Sequence, residues 1–138
     1  MVETQTGAQC VLNFERFVSD THPHLLCLQV RVSALKGPVE VSLIPKSDDQ
    51  YGSVSEPDDP RAGELSIVDT LTLLESEFSD NFSHFLYHIE GVDEKVSVTC
   101  IDELKQGEKA FSTQLERATN HHLEEGESLC FTRFSMFH

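Results

Sequence analysis

Histidine is the residue type in this chain that most suggests a metal site. Two of the seven histidines, His84 and His88, are four residues apart. On a helix such a pair shares one face and could chelate zinc, whereas on a strand its members lie roughly 13 Å apart, at ~3.3 Å per residue. The surrounding segment alternates as a strand does, so we predict no metal site and no other cofactor.

The spacing of the cysteines and the lack of catalytic motifs in the sequence also argue against a reactive site. No pair of cysteines has CxxC spacing, and each lies in an apolar run: Cys10, Cys27, Cys100 and Cys130. This favours reduced, buried thiols in a cytoplasmic or nuclear protein, with two structural disulfides as the alternative if the chain is secreted. The sequence has no GxSxG elbow, HExxH pair or glycine-rich phosphate loop. We therefore expect a chain that is not an enzyme.

The net charge of the chain favours some classes of binding partner over others. The formal net charge is −14, and a field of this sign repels phosphate backbones and anionic lipid, which argues against nucleic-acid and membrane binding. The N-terminal residues lack the basic and apolar regions of a signal peptide, and no apolar stretch approaches the ~20 residues of a membrane span. The charge favours a basic protein partner, with plain solubility as the alternative.

Length and patterning predict one domain over residues 1–138 with a frayed terminus at 1–8. Period-2 alternation predicts strands over residues 10–18, 25–34, 39–43, 83–90, 96–100 and 128–137. We expect the second and third strands to form a hairpin through Lys36-Gly37-Pro38, and the fourth and fifth through residues 91–94. The last strand is apolar on both faces, which is typical of a central strand or one covered by a partner.

The remaining segments predict a loop and two helices. Residues 46–63 combine acids with glycine and proline, which predicts a mobile acidic loop. Over residues 64–80 apolar side chains recur every three or four positions, as on a helix face, with a strand at 65–73 as the alternative: Leu65, Val68, Leu71, Leu74 and Phe78. Residues 108–125 are rich in helix formers, with Phe111, Leu115 and Ala118 on one face and Gly126 as a stop.

This order predicts an α+β fold, in which a mainly antiparallel sheet of about six strands carries two helices on one face. If both helix predictions fail, the same segments make an all-β sandwich of seven to eight strands.

Two short stretches resemble known protein-binding domains. Residues 37–46, GPVEVSLIPK, look like the glycine-proline strand in the marked-box domain of the cell-cycle transcription factors that bind retinoblastoma-type pocket proteins. Residues 39–46 and 82–117 resemble strands of the UPA domain of death-domain signalling proteins. Both resemblances imply protein binding rather than catalysis, and neither transfers a specific partner.

We therefore predict a non-enzymatic interaction or adaptor domain. One predicted surface is an apolar face or sheet edge around Phe131, Phe134, Met136 and Phe137, which would accept a partner segment or a second copy of the chain. The other is acidic, formed by Asp48, Asp49, Glu56, Asp58 and Asp59, with Glu124, Glu125 and Glu127 elsewhere. An acidic chaperone for a basic protein such as a histone is one alternative, and a small-ligand carrier or enzyme is the alternative of another class.

Overall fold

The protein is built from β-strands throughout the part of the chain that the computed structural model describes, residues 2–3, 7–46, 71–89 and 91–138. The strands are β1 (Val2–Glu3), β2 (Gln9–Val18), β3 (Leu25–Lys36), β4 (Val39–Leu43), β5 (Leu71–Ser79), β6 (Phe82–Ile89), β7 (Glu94–Gln106), β8 (Lys109–Phe111), β9 (Thr119–Leu123) and β10 (Ser128–Phe137). No helix among these residues is long and apolar enough to cross a membrane. The predicted α+β fold with two helices is wrong, and the all-β alternative fits.

The strands form two antiparallel sheets of unequal size. The large sheet has the order β1-β2-β3-β10-β7-β6-β5, with β8 also paired to β7, and the small sheet pairs β4 with β9. The predicted hairpin of residues 83–90 with 96–100 is confirmed by the pairing of β6 with β7. The predicted hairpin of residues 25–34 with 39–43 is wrong, because Gly37, at φ +67°, turns the chain out of the large sheet and into the small one.

The core lies between the small sheet and one end of the large sheet. We call the face of the large sheet that carries Ala34, Leu104 and Leu129 the inner face, and the opposite face the outer face. On the inner face these side chains are 1–2% exposed and pack with Val39 of β4 and Leu123 of β9. Alternation along each strand brings the apolar residues to this interface, where their burial stabilises the fold.

The first predicted helix is wrong because a β-bulge gives a strand the apolar spacing of a helix. Residues 64–70 lie outside the described residues, and residues 71–79 form β5. Its register shifts between Leu73 and Glu75, so Leu74 is an extra residue that inverts the alternation. The apolar residues Leu71, Leu74 and Phe78 therefore acquire a helix-like spacing although the chain is extended.

The second predicted helix is replaced by two short strands joined by turns. Residues 109–111 form β8 on the large sheet and residues 119–123 form β9 on the small sheet. Between them Glu116 has φ +59°, which no helix accommodates. The Phe111 ring packs edge-on against His121, with ring centroids 4.6 Å apart. Cross-strand pairing and this buried contact outweigh the helix propensity of the segment, and Gly126, predicted as a helix stop, forms the β9–β10 turn at φ +87°.

A pair of polar residues fastens the β5–β6 turn to the segment that follows β8. The side-chain carbonyl of Asn81 accepts hydrogen bonds from the backbone N–H and the hydroxyl of Thr113. The backbone N–H of Asn81 donates to the carbonyl of Thr113 at 2.9 Å. Thr113 is 1% exposed, so these bonds satisfy polar groups that would otherwise be buried without partners.

Candidate functional site

The aromatic residues predicted as a binding surface are divided between the two faces of the large sheet. They lie on β10, a central strand between β3 and β7, which therefore offers no free edge. Alternation directs Phe131 and Phe137 to the inner face and Phe134 and Met136 to the outer face. Phe131 is buried in the core, whereas Met136 is 40% exposed. The structure thus keeps only Phe134 and Met136 together as neighbours on one surface.

The predicted acidic surface is only partly covered by the described residues. Asp48, Asp49, Glu56, Asp58 and Asp59 lie outside them. The other predicted acids, Glu124, Glu125 and Glu127, lie in the turn between β9 and β10 and bind nearby parts of the fold.

Two of these turn carboxylates act as structural acceptors. Glu125 accepts a hydrogen bond from the backbone N–H of Gly37 at 2.9 Å. Glu127 accepts one from the backbone N–H of Glu124 at 2.9 Å and one from the Gln106 amide at 3.0 Å. These bonds connect the turn to the two sheets, so the acids there stabilise the fold instead of forming a free acidic patch.

The outer face carries a row of apolar residues that crosses five neighbouring strands. Directly opposed residues of antiparallel strands point to the same side of a sheet, and the strand registers align one residue of each strand: Phe17, Cys27, Phe134, Ile101 and Phe82. Phe17 is 55% and Ile101 51% exposed, Phe134 and Phe82 are half-buried, and Cys27 lies buried in the row. We call these residues the outer row.

Polar residues border the outer row on one side. The next row along the strands consists of Glu15, Gln29, Thr132 and Glu103. The Gln29 amide donates to the Thr132 hydroxyl at 3.3 Å, and Lys105 binds Glu103 at 2.7 Å. The carboxylate of Glu15 makes the border at the β2 end acidic.

On the other side the border is mixed. Leu25 and Met136 extend the apolar surface, and Thr99 and His84 follow in the same row. His84 Nδ1 and the Thr99 hydroxyl lie 2.9 Å apart in a cross-strand hydrogen bond. An apolar stripe with polar borders has the composition of a protein interface, in which an apolar centre is surrounded by a polar rim.

The cysteine within the outer row is packed rather than reactive. Burial raises the pKa of the Cys27 thiol, which keeps it protonated and therefore a poor nucleophile. All four cysteines are free thiols, and Cys10, Cys27 and Cys100 are buried. The outer row is therefore suited to contact through its surface and not to covalent chemistry.

A charged pair on the inner face binds the chain where it leaves β4. Arg133 donates to both carboxylate oxygens of Asp102, each at 2.7 Å, and donates a further bond to the Lys46 carbonyl at 2.8 Å. The hydrogen bonds to Asp102 raise the pKa of Arg133 further above its usual value. The two side chains are only 15% and 10% exposed. Because every interaction here is with the protein itself, the pair positions Lys46 and the strands around it.

A groove beside β5 is a concave feature that could take a small ligand. It has a volume of about 520 Å³, and its lining includes Phe78, Phe85, Gln114, Leu115 and Glu116. Neither histidine nor cysteine lines it within the described ranges, where no group of three His, Cys, Asp or Glu side chains could hold a metal ion either. The lining of this groove therefore gives no support to the enzyme or carrier alternative.

Of the five members of the outer row, sequence patterning predicted only Phe134 as a binding residue and missed Phe17, Cys27, Ile101 and Phe82. Alternation within β2 places Phe17 out of phase with Leu12 and Phe14, and only the registers between strands show that it aligns with Ile101. No known family model matches the sequence, and no curated protein is significantly similar to it. The function is therefore inferred from the geometry of this surface.

Proposed function

We propose that this chain is a non-enzymatic protein-binding domain whose outer row receives a partner segment with an apolar stripe and basic flanks. The observation that carries the proposal is the alignment of apolar residues across five strands of an outer face, with Phe17 and Ile101 more than half exposed. Monomeric proteins seldom leave such a contiguous apolar surface in water unless a partner covers it.

The dimensions of the outer row suit a short recognition segment. Four inter-strand steps of about 4.8 Å give a length of roughly 19 Å. A segment with a stripe of this length can bury its apolar side chains on Phe17, Phe134 and Ile101, with aromatic groups of the kind that dominate binding energy. The partner's remaining contacts would fall on the polar border.

Charge supports a basic rim on the partner. The chain has a net charge of −14, and Glu15 lies beside the outer row at its β2 end. Such a field attracts basic partners and raises the rate at which they associate. Lysine or arginine beside the apolar stripe would therefore improve binding, although the apolar contact would supply most of the affinity.

The test compares two variants that place the same charge at equally exposed positions. Ile101→Glu lies in the outer row at 51% exposure, and Val92→Glu lies in the β6–β7 turn at 50% exposure. Proteins captured from an extract of cells that naturally make the chain are quantified by mass spectrometry. We expect partners of wild type to be retained by Val92→Glu and reduced about tenfold or more by Ile101→Glu, since a charge within an apolar interface is costly.

Salt separates the two contributions to binding. From about 0.15 to about 1 M salt the screening length falls from about 8 to about 3 Å. Binding to the outer row should weaken over this range but persist, whereas a purely ionic partner should be lost. Equal capture of the same proteins by wild type and by Ile101→Glu, with both folded by circular dichroism, would refute the proposal.

A further inference from the structure

The two outer strands of the large sheet differ in how open their edges are. At one end, β5 carries a bulge after Leu73 and the acids Glu75 and Glu77, features that discourage pairing with another strand. At the other end, β1 pairs with β2 only at Gln9 and Cys10. From Val11 to Val18 no strand among the described residues pairs with the outer edge of β2, and the register with β3 is regular there.

The open part of β2 is apolar on both faces. Phe14 is 66%, Val18 63%, Phe17 55% and Leu12 39% exposed. Its charges are confined to the adjacent residues Glu15 and Arg16, which point to opposite faces because they are neighbours on a strand. An edge that no described strand pairs with, and that carries large exposed side chains, can accept another strand.

We infer that the strand it accepts is β2 of a second copy, in an antiparallel two-fold pair centred on Phe14. A two-fold axis perpendicular to the sheet continues the large sheet from one copy into the other and keeps the inner faces on one side. In such a pair, directly opposed residues point to the same face, so their numbers differ by an even number. The two-fold axis therefore passes midway between one residue and its own equivalent in the second copy. Centring on Phe14 pairs Val11 of one copy with Phe17 of the other, which uses the open edge up to the point where β1 begins.

The charges select this register over its neighbours. With the axis at Phe14, Glu15 lies opposite Asn13, Arg16 lies opposite Leu12, and the two Phe14 rings meet at the centre. Moving the axis to Glu15 or to Arg16 would oppose two like charges, which destabilises a cross-strand pair. Moving the axis to Asn13 would shorten the pairing between the two copies, because Gln9 and Cys10, which precede Val11, already pair with β1.

The first experiment measures mass against concentration by sedimentation velocity, from about 5 to about 200 µM, where mass action favours a dimer. Two variants place lysine at exposed phenylalanines on opposite edges of the sheet, Phe14→Lys on β2 and Phe78→Lys on β5, where Phe78 is 50% exposed. We expect wild type and Phe78→Lys to dimerise and Phe14→Lys to dimerise at least about tenfold more weakly, because the two lysines would face each other at the axis.

The second experiment tests the register by oxidation. In the inferred pair, cysteines introduced by Phe14→Cys lie directly opposite each other, about 5 Å apart between Cα atoms, and can form a disulfide between copies. Cysteines introduced by Asn13→Cys lie about 8 Å apart, beyond disulfide reach. We expect a covalent dimer with Phe14→Cys and little with Asn13→Cys.

Three results would overturn the inference. They are a wild-type protein that stays monomeric at the highest concentration, a dimer that Phe14→Lys does not weaken relative to Phe78→Lys, and crosslinking that is as efficient at residue 13 as at residue 14. The dimer and the partner site share Phe17, but their tests are separate: sedimentation uses the purified chain with no partner, and Ile101 lies on β7, away from the β2 edge. Failure of the dimer can therefore be distinguished from failure of partner binding.

Discussion

The inner and outer faces of the large sheet use the same residue types with different consequences. On β7, Leu104 points inward and is 1% exposed, whereas Ile101 points outward and is 51% exposed. On β10, Phe131 is buried and Phe134, three residues later, is half-buried. The difference arises from the small sheet, which covers one end of the inner face. An apolar residue in a strand is thus buried in the core or exposed on the surface according to what lies above it.

The largest expected difference between the faces is in packing energy. Leu104→Ala removes a buried side chain from the core cluster and should lower the free energy of unfolding by about 2–5 kcal/mol, because it leaves a cavity. Ile101→Ala, on the same strand, should lower it by less than about 1 kcal/mol, because the side chain is half in water. Urea denaturation of both variants measures the difference. Similar losses in the two variants would mean that the outer face is also covered in the native protein.

The charged pairs of β7 provide the next comparison. Asp102→Ala leaves the Arg133 guanidinium without its carboxylate, and we expect a loss of about 2–3 kcal/mol, below that of a fully buried pair because both groups retain some exposure. Glu103→Ala removes the exposed partner of Lys105 on the other face and should leave the unfolding midpoint close to wild type. Thermal unfolding in parallel checks both. A midpoint lowered equally by the two changes would contradict the assignment of Asp102 as the structural carboxylate.

The smallest expected effect is a pH dependence of stability, which arises from two adjacent histidines of β9 whose pKa values are shifted in opposite directions. Hydrogen bonds to Glu40 and Glu124 raise the pKa of His122, whereas burial and the charge of Lys109 lower the pKa of His121. The raised pKa means that His122 stabilises the fold below its unfolded pKa, and this contribution is lost as the pH rises through its folded pKa. The lowered pKa means that His121 favours the fold above its unfolded pKa, and this contribution is lost as the pH falls through its folded pKa.

Proton NMR of the ring protons from about pH 5 to about pH 8 would resolve the two titrations around the usual histidine value of ~6.5. We expect His122 to titrate above His121. In the variant Glu40→Gln the His122 titration should move towards the usual value while that of His121 stays in place. A reversed order would show that His121 is accessible to solvent.

Much of the strand pattern could be predicted from the sequence, because alternation depends only on neighbouring residues. The hairpin of β6 with β7 and the strand over residues 128–137 are examples. The helix predicted over residues 64–80 could not be corrected in this way, since the extra residue at Leu74 gives a bulged strand a helical spacing. The helix predicted over residues 108–125 failed because pairing of β9 with β4 is a contact between segments far apart in the chain.

Prediction of the candidate site from the sequence was limited in the same way, because patterning within one strand does not show how strands align. Phe134 and Met136 were predicted as contact residues from the apolar pattern of β10, and the structure leaves them as neighbours on the outer face. Phe17 and Ile101 could not be joined to them, because they come from strands whose register is set by the sheet as a whole. Phe131 was predicted as a contact residue, but it lies beneath the small sheet, and a pattern within one strand does not reveal which face is covered.

The bulge in β5 also has a consequence for assembly. A protein with two open sheet edges can add copies at both ends without limit, which is the geometry of a fibril. In the inferred dimer the β2 edges meet each other, and the β5 edge is interrupted by an extra residue and two acids, so further addition would stop there. If β2 pairs as inferred, the bulge in β5 would limit assembly to a finite complex instead of a fibril.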